Sequence, residues 1–331
     1  MSDKMSGQFS FDEILKPGCR KAIYREEGYF VWCGSIAKYR NTYYLFYSRW
    51  KKELGFDAWV TDSEICIASC EDLMGEFVFR KVLFGKEKAG RWDASCKHNP
   101  QVLEADGKFY LYYMGNYGNG EFWNHRNHQR IGVAWCADPM GEWQRPEEPV
   151  IDVSSEGYDS LMTSNPAATL TPDHRTLMIY KGVARTGKMP VGGAVACCVA
   201  FADHPEGPFE KCGIQIMKNP EQDWSVEDPF IWYQKDRFYA LVKDFHGYFI
   251  KTGEVGIALF ESFDGMDWHP AEHPFAFDNR IQWEPGKIQR VHRLERPQIY
   301  FENGKAKALL CACSLEKDEK DSFNIRFELE G

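Results

Sequence analysis

Apolar residues in this chain come in short runs at even intervals, and hardly any stretch repeats at the helical period. Four such runs are EICIAS (64–69), RIGVAW (130–135), AVACCVAF (194–201) and EVGIALFE (254–261). Each leads into a turn of the form small-x-Asp-x-x-Gly-x-aromatic: CEDLMGEF (Cys70–Phe77), CADPMGEW (Cys136–Trp143), ADHPEGPF (Ala202–Phe209) and the shorter SFDGMDW (Ser262–Trp268). Asp72, Asp138, Asp203 and Asp264 lie 66, 65 and 61 residues apart. Asp and Gly at these offsets suit a tight turn between strands. A second motif keeps the same period. Pro100, Pro166, Pro229 and Pro297 are 66, 63 and 68 apart, and Gly34 fills the first slot, 66 before Pro100. A strand, a hairpin turn and a second strand follow each, as in QVLEADGKFYLYYMG and QIYFENGKAKALLCA.

Five units of about 65 residues, each with roughly four short antiparallel strands, predict an all-β, five-bladed β-propeller that occupies residues 1–331 as one domain. An open β-solenoid or two sandwiches are the alternatives; the agreement of period and strand count favours the propeller. The fifth unit ends one strand short, after FNIRFELEG, and the segment Phe9–Leu15 is the expected donor of the strand that closes the ring. Within each unit the turns between strands 1 and 2 and between 3 and 4 are short. The 2–3 loops and the blade-to-blade links are long, and in a propeller these share one face.

That face gathers the residues just before each first strand: Trp32-Cys33-Gly34-Ser35, His98-Asn99-Pro100, Ser164-Asn165-Pro166, Glu227-Asp228-Pro229 and Glu295-Arg296-Pro297. Asp93, Glu156, Asp159, Lys181, Asp244, His246 and His292 lie in or beside the long loops, with Trp32, Trp92, Tyr158, Trp224 and Trp283 as stacking surfaces. Acids, amides, His, Arg and aromatic rings together suit a hydroxyl-rich ligand better than an apolar one.

Composition narrows the picture. Aromatic residues make up 15% of the 331 positions, which fits strands. The net charge of -9 and the lack of any basic run argue against a nucleic-acid partner. No run reaches the ~18 apolar residues of a membrane span, and the polar Met1–Phe11 lacks the core of a signal peptide, so no membrane association and a cytoplasmic location are expected. The 11 Cys are scattered, form no CxxC pair, and partly sit inside apolar runs, where Cys behaves as a small hydrophobe. His125 and His128 in FWNHRNHQR invite a metal, but two His in a loop more often form a polar rim. The charged run LEKDEKD (Leu315–Asp321) suits a solvated loop.

At the strand-1 motifs, the GKFYLYYMG-type second strand and the SFDGMDW turn, the chain resembles the five-bladed propeller glycoside hydrolases, the broad group around families 43, 32, 117 and 130. The resemblance spans nearly the whole chain and implies a hydrolase acting on oligosaccharides, with no obligatory cofactor. An axial calcium, as in some family-43 members, is the metal it allows. The chain departs from the family-43 pattern, whose first three blades begin with carboxylates: here blade 1 begins WCGS and blade 3 SNP. The acids come late instead, at Glu227, Asp228 and Glu295, with similarity in this respect to family 117.

Glycoside hydrolysis usually needs two carboxyl groups, one of them protonated, and crowding like charges raises the pKa of one. Asp228 and Glu295 are the expected central pair, with Glu227 beside them and Asp93 as a further acid. His98, Asn99, Asn165, Trp32, Lys181, Asp244, His246, His292 and Arg296 are the expected substrate contacts. By family analogy the reaction is inverting, and the long loops suggest exo action. Structural readings stand beside these: Asp before Pro often caps a turn, and Glu227 or Asp228 could simply bridge to Arg296. Two other functions remain open. A family-130-like phosphorylase would use Lys181, Arg296, His246 and His292 for phosphate, and a binding propeller would do no chemistry.

Overall fold

The turn motifs do locally what their composition dictates. In the computed structural model, which describes residues 10–88, 90–284 and 286–330, Asp72, Asp138 and Asp264 each accept the backbone N–H two residues on, at 3.0, 2.9 and 2.8 Å. Each turn joins the third strand of a blade to its outer edge. The blades are antiparallel sheets in simple up-and-down order. Blade 1 holds Tyr29–Tyr39, Thr42–Lys51, Glu64–Cys70 and Val78–Phe84; blade 3 holds Met162–Leu170, Thr176–Val183, Val195–Ala202 and Glu210–Ile216; blade 4 holds Val226–Gln234, Arg237–Asp244, Gly256–Ser262 and His269–Asp278. Blade 2 has three regular strands, Cys96–Ala105, Lys108–Asn116 and Arg130–Cys136, and its outer edge is reduced to bridges at Trp135–Gln144 and Ile131–Ile151. A hairpin, Arg280–Glu284 with Lys287–Arg290, is inserted before blade 5.

Blade 5 comprises Arg293–Glu302, Lys305–Ser314 and Phe323–Glu328, and its fourth strand is Ile23–Tyr24, paired as Ile23↔Ile325 and Tyr24↔Asn324. The N-terminal segment therefore closes the ring, as expected, but through Ile23–Tyr24 and not Phe9–Leu15. Of that segment Leu15 makes a single bridge to Leu329, and Phe9 lies outside the described residues. Phe11 packs on Phe277 instead, under blade 4.

The aromatic richness is spent between blades. Tyr110, Tyr112, Met178 and Tyr180 join blades 2 and 3; Phe46, Phe84, Leu111 and Tyr113 join blades 1 and 2; Tyr43, Tyr47, Tyr300 and Leu310 join blades 5 and 1. Large flat side chains fill the wedge between radiating sheets, and their burial supplies most of the driving force for assembly. Among the described residues no helix is long and apolar enough to cross a membrane.

One local device repeats in all five inner strands and shapes the site. Each carries one extra residue relative to its neighbour, a β-bulge, between Trp32 and Ser35, His98 and Gln101, Ser164 and Ala167, Glu227 and Phe230, and Glu295 and Gln298. At each bulge one residue is left-handed: Cys33, Asn99, Asn165, Asp228 and Arg296, with φ of 51, 56, 51, 56 and 57°. Non-glycine residues held there cost of order 1–3 kcal/mol each and persist where the surroundings over-determine them. Because the ladder is broken at the bulge, the proline that follows in four blades lacks an N–H where none is needed.

Candidate functional site

The five left-handed residues meet on the propeller axis and hydrogen-bond around it. The Cys33 thiol donates to Asn99 Oδ1 (2.7 Å), Asn99 Nδ2 to Asn165 Oδ1 (2.6 Å), Asn165 Nδ2 to Asp228 Oδ1 (2.8 Å), and Arg296 Nη1 to the same Asp228 oxygen (2.8 Å). All five are buried. Burial pushes the Cys33 thiol up, against the pull of Arg296, so it stays a neutral donor. This ring is the base of the site. The strand-start residues of blades 4 and 5 stand around it.

Two ion pairs form the floor. Lys181 Nζ donates to Glu227 Oε1, which also accepts from Asn165 Nδ2 at 3.3 Å, and Lys243 Nζ donates to Glu295 Oε1 at 2.6 Å. The two lysines hold one repeat position: each lies on the second strand of its blade and reaches the first strand of the next. Side-chain exposure separates the layers: 16% for Glu227, 14% for Lys181, 13% for Glu295 and 10% for Lys243, against 6% for Asp228 and 3% for Arg296. The first four touch solvent, and the last two lie beneath. Arg293 approaches Glu295 at 3.5 Å and also pairs with Glu319.

The electrostatics split the acids. Burial raises the Glu227 carboxyl, but Lys181, Lys243 and Arg296 outweigh it and hold Glu227 at about 2, so it is ionised. Asp228 moves the other way. Burial pushes it up, Glu227 and Glu295 add to the push, and Arg296 and Lys243 only partly oppose it. Its Oδ1 is taken by Arg296 and Asn165, while its Oδ2 accepts no hydrogen bond among the described residues. A carboxyl biased toward holding its proton thus sits beside carboxylates, the arrangement that separates acid from base.

The structure brings Glu227, Asp228, Glu295, Lys181, Arg296 and Asn165 together, and removes several other expected contacts. Asp93 is fully buried between blades 1 and 2, where it accepts from Tyr113 Oη (2.9 Å) and Arg91 Nε (3.1 Å) and lies 3.7 Å from Arg145. Asp159 repeats that role in blade 3 with Tyr180 and Lys211, which marks a structural position of the repeat. Asp244 is also fully buried and accepts the backbone N–H groups of Phe249 and Ile250, tying down its own loop. His98 lies in a sealed pocket between Trp50 and Trp59 with Nδ1 on Ser63 Oγ (2.8 Å). Burial, and then Arg296, lowers its pKa well below the ordinary value, so it is neutral. Trp32 packs edge-on against Phe56, and Asn99 is consumed by the axial ring. His292 lies 3.6 Å from Glu319, and His246 is exposed on the 245–255 loop. Of the five expected stacking residues, Trp224 and Tyr158 are exposed, while Trp32 and Trp283 are buried and Trp92 stacks on Tyr113.

Sequence reasoning missed Lys243 and Phe245. Lys243 stands 62 residues after Lys181 at the same place in the repeat, so the period itself could have found it. Phe245 carries Lys243 Nζ over its ring at 4.9 Å and meets Trp224 edge-on at 5.4 Å, which extends an aromatic shelf from the floor toward solvent. An axial calcium does not fit these residues. The axis is occupied by the Arg296 guanidinium, a cation itself, and no group of three or more His, Cys, Asp or Glu able to hold a metal occurs among the described residues.

No protein-family model matches the sequence, and no curated protein matches it by sequence. Solved structures match it by shape. One, described as a glycoside hydrolase, has a TM-score of 0.68 at 13% identity and covers 96% of this chain and 93% of its own. A family 117 glycoside hydrolase from the marine bacterium Zobellia galactanivorans has a TM-score of 0.65 at 18% identity, covering 96% and 90%. A native arabinanase of Bacillus subtilis has a TM-score of 0.58 at 15% identity, covering 92% and 95%. At such identities the likeness is one of fold: the chain has the five-bladed propeller architecture of these glycoside hydrolases.

Proposed function

We propose that the chain is a glycosidase, with oligosaccharides as substrates and the acids of blades 4 and 5 as its machinery. One observation carries the proposal: on a scaffold shared with glycoside hydrolases, Glu227, Asp228 and Glu295 crowd one end of the axis in unlike electrostatic states. Asp228 is the proton donor. Its Oδ2 is free, and burial together with Glu227 and Glu295 favours its protonated form. Glu295, on the neighbouring blade and ion-paired with Lys243, is the base that activates water. Glu227 stays ionised, holds Lys181 in place and keeps the Asp228 proton on. Inversion and exo action belong to the same proposal. The loops 117–129 and 184–194 support exo action, because they are tied together through Asn127 Nδ2 to Pro190 O and wall off one side of the face.

The test is a panel of aryl glycosides, pyranose and furanose in both anomers, with and without phosphate. Asp228→Asn and Glu295→Gln should each lower kcat by about 10²–10⁴, and proton NMR of the first-formed anomer reads the stereochemistry. Full activity in either variant removes that residue from the mechanism. A phosphate requirement would make the enzyme a phosphorylase. A second reading, a sugar-binding propeller without chemistry, is favoured by the fact that all three acids are ion-paired. It predicts sugar binding with no turnover anywhere on the panel.

A further inference from the structure

The motif FWNHRNHQR stands outside this machinery. It forms a short helix, Phe122–Asn127, on the long loop of blade 2. Its histidines serve the loop: His125 Nδ1 lies 2.9 Å from Asn116 Oδ1 and its Nε2 accepts from Gly120 N, while His128 Nδ1 lies 2.8 Å from Asn124 O. Arg130 pairs with Asp152 at 2.5 Å. Arg126 is different. It is only 7% exposed, yet no carboxylate lies within ion-pairing distance of it among the described residues. The cations at the floor each have one: Lys181 has Glu227, Lys243 has Glu295, Arg296 has Asp228, and Arg293 has Glu295 and Glu319.

We propose that Arg126 seats an oxyanion at the mouth of the site, either a carboxylate or sulfate carried by the sugar or a phosphate taken from solution. The first source rests on the glycosidase reading; the seat itself does not. Arg126 is held by one end only. Its Nη1 donates to Val191 O and Asn127 Oδ1, both at 2.9 Å, which fixes the guanidinium against the 184–194 loop. Nε and Nη2 make no hydrogen bond among the described residues, and neither is sealed from solvent. These two nitrogens share one edge of the guanidinium, the edge whose parallel N–H groups match two oxygens of a carboxylate, sulfate or phosphate. Burial presses the Arg126 pKa down, and the pull of Glu227 opposes it, so the guanidinium lies within electrostatic reach of the floor. A buried cation without a counter-charge is costly, and a bound anion would remove that cost. The surroundings suit a sugar that carries the charge. Trp123 lies under the guanidinium at 5.6 Å and is itself exposed, beside exposed Met189 and Val191.

Calorimetric titration tests the seat without turnover. The probes are galacturonate, glucuronate and galactose 6-sulfate, each against its neutral parent, and inorganic phosphate, with wild type, Arg126→Gln and Arg126→Lys. At least one oxyanion probe should bind about 10- to 100-fold more tightly than its neutral counterpart. Arg126→Gln should abolish the preference, and Arg126→Lys, which keeps the charge but not the fork, should restore part of it. Arg126-dependent binding of phosphate alone would support the seat and assign the anion to solution. Equal binding of charged and neutral probes, or a preference that survives Arg126→Gln, would overturn it. Circular dichroism melting of both variants establishes that they are folded, and the lysine variant serves if the glutamine variant is not. Arg126-dependent anion binding without hydrolysis of any glycoside would sink the glycosidase reading and leave the seat; hydrolysis of neutral glycosides without anion preference would do the reverse.

Discussion

Replacing Glu227 by Gln removes one charge from the floor and nearly nothing else, so its effect can be worked from the ion pairs. In the folded protein Glu227 is held at about 2, against an ordinary 4.5. A carboxyl depressed on folding stabilises the fold above its unfolded pKa, and loses that contribution as pH falls through the folded value. The gap between 4.5 and about 2, at about 1.4 kcal/mol per pH unit, makes about 3 kcal/mol near neutrality. Asp228 opposes this. Its carboxyl is raised, so its ionisation costs stability above its ordinary pKa, and removing Glu227 takes away one cause of that rise. The net loss for Glu227→Gln at pH 7 should therefore be about 1–3 kcal/mol. The gap between wild type and variant should close as pH falls from about 4.5 toward 2, where wild-type Glu227 takes up its proton. Urea unfolding followed by tryptophan fluorescence, from pH 7 down to about 3, measures both quantities. A gap of the same size at both ends of that range, or a variant more stable than wild type at pH 7, would refute an ionised Glu227 clamped by Lys181.

Two further outcomes follow from the packing. Tyr24 lies in the closing strand, 5% exposed, with its hydroxyl 3.0 Å from that of Tyr47 and its ring edge-on to the same residue. Tyr24→Ala should cost about 3–5 kcal/mol and lower the melting temperature of the whole ring, since blade 5 then loses its outer edge; a change below about 1 kcal/mol would mean that the ring closes without it. Trp224→Ala should raise KM at nearly constant kcat on any substrate found, because the ring forms a shelf with Phe245 and touches none of the acids. A fall in kcat with KM unchanged would contradict that role.

The order of blades, the turns between strands and the face that holds the long loops were all legible in the sequence. They depend on local chemistry repeated at a fixed period: Asp and Gly at turn offsets, and apolar runs long enough for one strand. The same period placed Glu227, Asp228 and Glu295 at strand starts. What each acid does was not legible, because that depends on which side chains and backbone groups the closed fold brings against it. Asp93 lies just before an inner strand and Glu227 at the start of one, yet Asp93 is sealed between blades on Tyr113 and Arg91 whereas Glu227 faces Lys181 at the floor. His98 and Asp244 read as substrate contacts until the fold encloses one between two tryptophans and commits the other to backbone N–H groups. The bulge that turns Cys33, Asn99, Asn165, Asp228 and Arg296 into a hydrogen-bonded ring likewise exists only once five strands surround one axis. Periodicity and turn residues act within a few positions of the chain and so determined the architecture. Burial and ion pairing act through space, and only the closed ring decided which acids keep a proton and which cations of the site are paired.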